Sequence, residues 1–355
     1  MKVLAEVRTE YYDYRNGTNL LAAGLLLVVG LFGVITNSSI IFIFCKNRSK
    51  RTSFNLICVF RAVSNIIILS TTFLGLFLPK TLLDDQLYPP ALESWLIHIS
   101  ITLYLGNEYQ IVLFALNRFY ALFVPKYYSI ICGFLPTTLF LILMYIHRVY
   151  RLFFEVPRPV FWTNEPCYSL YYAEYLGWML DLKDGCYFNS TATQVMFGAF
   201  AAMILLNVPT LLRVIVFFCS RNQSMDEKTK TQFRKDSALF FQTILQIFVF
   251  LIEPLFNYVL IRLSNNRLWI FICYTLVWEF THAIDGFLML IFNRSLKPRS
   301  PTVPSVTPVD NYVPMLRSFF ILLINSPIQF FFISFPMYHT FEIILDNILD
   351  ALLAK

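Results

Sequence analysis

Charge is what this chain has least of. Only 14% of its 355 residues are Asp, Glu, Lys or Arg, against about a quarter in ordinary soluble domains. A water-facing fold of this length would lack the charges to cover its surface, so a lipid-facing exterior is the economical explanation. There is no CxxC and no Cys/His cluster with zinc spacing, so a metal site has nothing to stand on and no cofactor is expected. Nor can a nucleophile, base and oxyanion arrangement be read, which argues against an enzyme. The net charge of +6 comes from cations at the ends of apolar runs, and without a basic stripe no nucleic-acid partner is expected. Residues 1 to 18 are polar and balanced in charge, unlike a cleaved signal peptide. No repeat of roughly 20 to 50 residues appears, and no inverted-repeat hydropathy suggests a transporter.

What fills the chain is apolar: 57% hydrophobic residues and a mean hydropathy of +0.61. About 20 apolar residues cross a bilayer as a helix, and seven such runs can be marked. They are Leu20 to Phe44, Ser53 to Leu78, Trp95 to Val124, Thr137 to Phe154, Thr193 to Cys219, Ser237 to Ile261 and Leu268 to Phe292. The expected fold is an all-α membrane protein, a seven-transmembrane helix bundle over residues 19–300, between a tail at 1–18 and another at 301–355. Pro79 is expected to end the second helix, and Pro136 to delay the start of the fourth. Arg61, early in the second run, is expected to snorkel to the nearby surface.

Lysine and arginine crowd the connections after the first and fifth runs and the segment after the seventh, whereas the connections after the second and fourth are mostly acidic. With an odd number of spans this places the amino terminus outside the cell. The sequons at Asn16 and Asn189 then face the lumen and are the candidate glycosylation sites. In the carboxyl tail, the uncharged stretch from Ser318 to Thr340 contains Pro327 and Pro336. It can be read as an eighth span, a segment lying on the membrane, or non-native translation of an adjoining sequence.

At the foot of the third run stands NRFYALFVPKYY, residues 117–128. Arg118, with Phe119 after it, Pro125 seven residues on and Tyr128 ten on, resembles the cytoplasmic end of the third helix in rhodopsin-like G-protein-coupled receptors. That resemblance implies that Arg118 contacts a heterotrimeric G protein once the sixth helix swings outward. The acid that usually precedes the arginine is here Asn117, so the resting restraint on Arg118 is expected to come from elsewhere, with Asp236 a candidate. Alone, an arginine at a helix end more often snorkels to headgroups.

Asn37, Asn65 and Asp285 lie at membrane depth, where polar groups are costly and functional by default. In the general receptor pattern the second helix carries the acid and the seventh the amide; here the types are exchanged. Glu279, His282 and Asp285 recur every three residues and form one polar stripe that must face the bundle; Glu279 and His282 can bond to each other. The stretch from Trp278 to Gly286, followed by Phe292-Asn293, is similar to the seventh helix of the nematode serpentine chemoreceptors of class x (Srx). So is the run from Phe240 to Gln246. The resemblance ends near Asn293. Pro254, six residues after Phe248, has the receptor spacing for a kink above an aromatic pivot, although incidental transmembrane prolines are common.

The family implies a plasma-membrane receptor that binds a small molecule. Ser100, Tyr104 and Glu108 share one helix face and, with Glu253, Glu279 and His282, are the candidate ligand-binding residues. Cys167 and Cys186 lie in one polar loop, and the Cys, Trp, Cys arrangement of Srx receptors implies a bridge between them. Glu93 and Ser94 occupy the place where most rhodopsin-like receptors tether the third helix by a cysteine. A ligand-gated seven-helix odorant-type channel, which would need the opposite topology, and a transporter are the alternatives.

Overall fold

The structure is a computed structural model, and it describes residues 15–46, 52–83, 87–155, 168–180, 191–219 and 227–292. Each apolar run becomes a helix. The first span is Arg15–Lys46. The second begins at Ser53, where the Thr52 hydroxyl caps it by accepting from the Asn55 N–H at 3.2 Å. It runs through a π-helical stretch, Ile68–Phe77, into Leu78–Leu83. Pro79 therefore does not end this helix, contrary to expectation. A proline in that position removes the bond to the Gly75 carbonyl, and the Tyr88 hydroxyl donates to that carbonyl instead, at 2.8 Å.

The third span, Pro90–Phe123, starts five residues before the expected Trp95, with Pro90 at the first helical position. The fourth is a bent pair, Pro125–Ile131 and Phe134–Glu155, meeting at 50°. Pro136 sits in the first turn of the longer piece, so the expected start at Thr137 is three residues late. The first turn has no intrahelical N–H bonds for a proline to break. The fifth span is Thr191–Cys219 and the sixth Glu227–Tyr258. The sixth begins ten residues before the expected Ser237, because its first three turns are charged and invisible to a count of apolar residues. The seventh runs from Arg267 to Phe292 with a π-helical stretch at Ile272–Leu276, and the Asn266 side chain accepts from the Leu268 N–H at 2.8 Å to cap it.

Among the described residues six helices are long and apolar enough to cross a membrane, and the bent pair makes a seventh if it is one span. The burial pattern is the reverse of a soluble protein. Val28, Ile35 and Phe42 form a ridge on the outside of the first span, 67%, 64% and 64% exposed, while Asn37, Arg61, Asn65, Asn107, His282 and Asp285 are all 0% exposed. Apolar outside and polar inside is what lipid as solvent selects. The third span is central, packing on the second, fourth, fifth and sixth, while the first packs on the second and seventh. Glycine permits that last approach: a Cβ on Gly33 would lie 2.8 Å from the Ala283 Cβ, and one on Gly286 would overlap the Asn37 side chain.

The connection between the fourth and fifth spans departs from the all-α expectation. Ser169–Tyr172 (β1) and Gly177–Leu180 (β2) pair antiparallel, with Tyr171 opposite Trp178. Leu176 at the turn has φ 54°, a left-handed conformation unusual for leucine.

Candidate functional site

In the middle of the bundle a polar knot joins five spans. Arg61 of the second donates Nε to Asp285 Oδ2 of the seventh at 2.5 Å and Nη1 to the Asn107 carbonyl of the third at 2.8 Å. Asp285 also accepts from Asn65 Nδ2 at 2.9 Å and from Gln246 Nε2 of the sixth at 2.8 Å. Asn65 Nδ2 reaches Asn37 Oδ1 of the first span at 3.1 Å, and its Oδ1 accepts from Asn107 Nδ2 and His282 Nδ1, each at 2.8 Å. Asn37 Nδ2 donates to the Gly33 carbonyl at 2.8 Å and the His282 carbonyl at 3.3 Å. A carboxylate with a guanidinium and two amide donors around it is as well satisfied as a buried charge can be.

One end of the bundle is closed by the β1–β2 hairpin. Lys80 Nζ contacts both Glu93 carboxylate oxygens at 2.8 Å, and Glu93 Oε1 accepts from the Tyr171 N–H at 2.5 Å. Ser94 Oγ accepts from the Ser169 N–H at 3.0 Å. The Tyr171 hydroxyl bonds Thr81 Oγ1 at 2.7 Å, and its ring stacks on Phe77 at 4.3 Å. Thr275 Oγ1 donates to the Leu176 carbonyl at 2.6 Å, and Arg267 bonds both Asn19 and the Ala173 carbonyl. The hairpin is thereby fixed to the second, third and seventh spans, with Arg267 adding the first.

Between hairpin and knot lies an aromatic and acidic layer. Tyr104 stacks on Phe250 at 5.8 Å and meets His282 edge to face at 5.9 Å. The Tyr104 hydroxyl is the hydrogen-bonding neighbour of both Glu108 and Glu253, and the two acids act on each other electrostatically. At the opposite end of the bundle from the hairpin, the Arg118 guanidinium lies over the Phe54 ring at 3.9 Å. Beside it Asn117 Nδ2 donates to Ser53 Oγ at 3.3 Å, and the Tyr128 hydroxyl donates to Asn117 Oδ1 at 3.2 Å.

A family model described as serpentine type 7TM GPCR chemoreceptor Srx matches residues 27–293. The chain belongs to this family. No curated protein matches it.

In this Srx chain the sequence-derived residues fall into separate groups. Asn37, Asn65 and Asp285 come together in the knot, and Asn117 and Tyr128 meet at the Arg118 end. Pro125 opens the short helix there, and Phe119 stacks on Phe123 at 4.7 Å. Arg61 does not snorkel: it is wholly buried and paired, because Asp285 offers a counter-charge closer than the surface. Glu279 and His282 do not bond to each other. His282 Nδ1 is taken by Asn65, and both Glu279 oxygens lack a hydrogen-bond partner. Ser100 is committed to Thr72 at 2.5 Å, a tie between the second and third spans. Pro254 lies inside the sixth helix, where Phe248 is half-buried and Phe250 is the fully buried ring.

The Cys167 to Cys186 bridge, the sequon side chains of Asn16 and Asn189, the Asp236 side chain and the apolar stretch from Ser318 to Thr340 lie outside the described residues. Sequence reasoning missed Asn107, Gln246 and Phe250 as members of the central layers and Phe54 as the seat of Arg118. Spacing could have linked two of these, since Gln246 precedes Phe250 by four residues and shares its helix face; Arg61 shares a face with Asn65 in the same way.

Proposed function

We propose that this Srx chain is a chemosensory G-protein-coupled receptor of the plasma membrane, amino terminus outside. It binds a small molecule between the third, fifth, sixth and seventh spans and activates a heterotrimeric G protein. The observation that carries this reading is Arg118 itself, a cation at the end of the third span whose guanidinium lies over the Phe54 ring at 3.9 Å. Family membership supports the receptor assignment.

Ligand binding favours a bundle in which the sixth helix tilts at Pro254, uncovering Arg118 for the G protein. The shift is only as large as the ligand's preference for that state. The test is nucleotide exchange on a panel of G proteins by the purified receptor, with odorants and metabolites screened as agonists. Agonist-dependent exchange that Arg118→Ala abolishes is expected; absence of exchange on every G protein with a bound agonist would overturn the reading. An Asn16→Gln variant that loses a glycan shift places the amino terminus outside. An unglycosylated Asn16 with a cytosolic amino-terminal tag favours the channel of opposite topology.

A further inference from the structure

The layer above the knot carries more acid than base. Glu108 and Glu253 are served by the same Tyr104 hydroxyl, which has one proton for two acids; Glu108 is fully buried, and Glu253 Oε1 also accepts from Asn257 at 3.4 Å. The cation that acts on Glu108 is Arg61, and its Nε and Nη1 are already committed to Asp285 and the Asn107 carbonyl. The one guanidinium that acts on Glu108 is thus already bonded to Asp285. A second observation is independent of the acids. His282 is 0% exposed and packs edge to face on Tyr104 and Phe250, and with Nδ1 bonded to Asn65 its Nε2 is left without a partner against those rings. Buried polar atoms without partners are rare and call for an explanation.

From this we propose that the layer is a binding site for an organic ammonium ion. Its charged nitrogen lies between Glu108 and Glu253, and Tyr104 and Phe250 form the aromatic walls that a desolvated cation favours. A bound ammonium supplies several donors to two acids that otherwise share the single Tyr104 hydroxyl proton, and it offsets one of their charges. The remaining part of the ligand meets aromatic surface, with His282 Nε2 as a polar group at its edge. A carboxylate ligand would add a third acid to the layer, and a neutral one would leave the acids uncompensated.

This proposal rests on the receptor reading only for the premise that the bundle takes a ligand. The test is direct binding to the purified full chain in nanodiscs, read by calorimetry and thermal shift. The probes are 2-phenylethylamine and benzyltrimethylammonium, with 2-phenylethanol and 3-phenylpropanoate as neutral and anionic counterparts. At least one ammonium probe is expected to bind about 10- to 100-fold more tightly than its counterparts, the range of a charge-assisted contact. Glu108→Gln and Glu253→Gln are each expected to weaken that binding by a similar factor, while Glu108→Asp, which keeps the charge, retains more of it than Glu108→Gln.

Equal binding of the alcohol, unchanged ammonium binding in both Gln variants, or binding by neither ammonium probe would overturn the proposal. Ammonium binding without exchange on any G protein leaves the site standing and sinks the receptor assignment instead. Exchange driven by a neutral odorant, with no ammonium bound, sinks the site alone.

Discussion

Removing the Asp285 charge distinguishes a paired Arg61 from one that merely reaches for the surface. Asp285→Asn keeps the side-chain shape and strips the counter-charge 2.5 Å from Arg61 Nε. Breaking a buried pair from one side costs about 3–5 kcal/mol, since the surviving charge stays buried. Arg61→Met leaves Asp285 with two amide donors, Asn65 and Gln246, so its cost falls at the lower end, about 3 kcal/mol. In the Arg61→Met/Asp285→Asn double variant neither charge remains, and the loss should be smaller than the sum of the singles by about 2–3 kcal/mol. Apparent melting temperature in nanodiscs reads this out: at about 2–4 °C per kcal/mol the single variants should fall by roughly 10 °C. A snorkelling arginine would predict almost no change. Asp285→Asn melting within about 2 °C of the parent, or a double variant whose loss equals the sum, would refute the ion-pair account.

Phe54→Leu should raise ligand-free nucleotide exchange about fivefold, the effect of about 1 kcal/mol of lost cation–π cover on Arg118; unchanged basal exchange would remove Phe54 from the resting lock. Gly286→Ala should lower stability by about 1–3 kcal/mol, because its Cβ overlaps Asn37. That loss should shrink in an Asn37→Ala background, and an equal loss in both backgrounds would place the strain elsewhere. Lys80→Met leaves Glu93 buried without its cation and should expose residues 168–180 to limited proteolysis at temperatures where the parent resists. An identical cleavage pattern would show that the clamp does not hold the hairpin.

Periodicity and composition carry the membrane-spanning helices because a bilayer asks for length and apolarity, both of which a chain displays in one dimension. They fail where the answer lies on another helix. A cation eight residues into the second span reads the same whether it snorkels or pairs, and only Asp285, some 220 residues away, decides. The premise for finding it was present: an acid in mid-membrane needs a cation, and Arg61 shares a helix face with Asn65, already matched to Asp285. The hairpin gave less warning, since its turn puts leucine, not glycine, at φ 54°, held there by burial and by Thr275.

That Glu93 and Ser94 stand where the receptor resemblance would put a cysteine was legible, but not their partners, because Lys80 and Tyr171 reach Glu93 from two different segments. The substitution changes the physics of the attachment. A disulfide constrains the chain even when unfolded, whereas an ion pair and its hydrogen bonds hold only while water stays out. The Glu93 clamp and the stacking of Tyr171 on Phe77 therefore depend on one another: opening the stack admits water to the ion pair, and breaking the ion pair frees the strand that carries the ring.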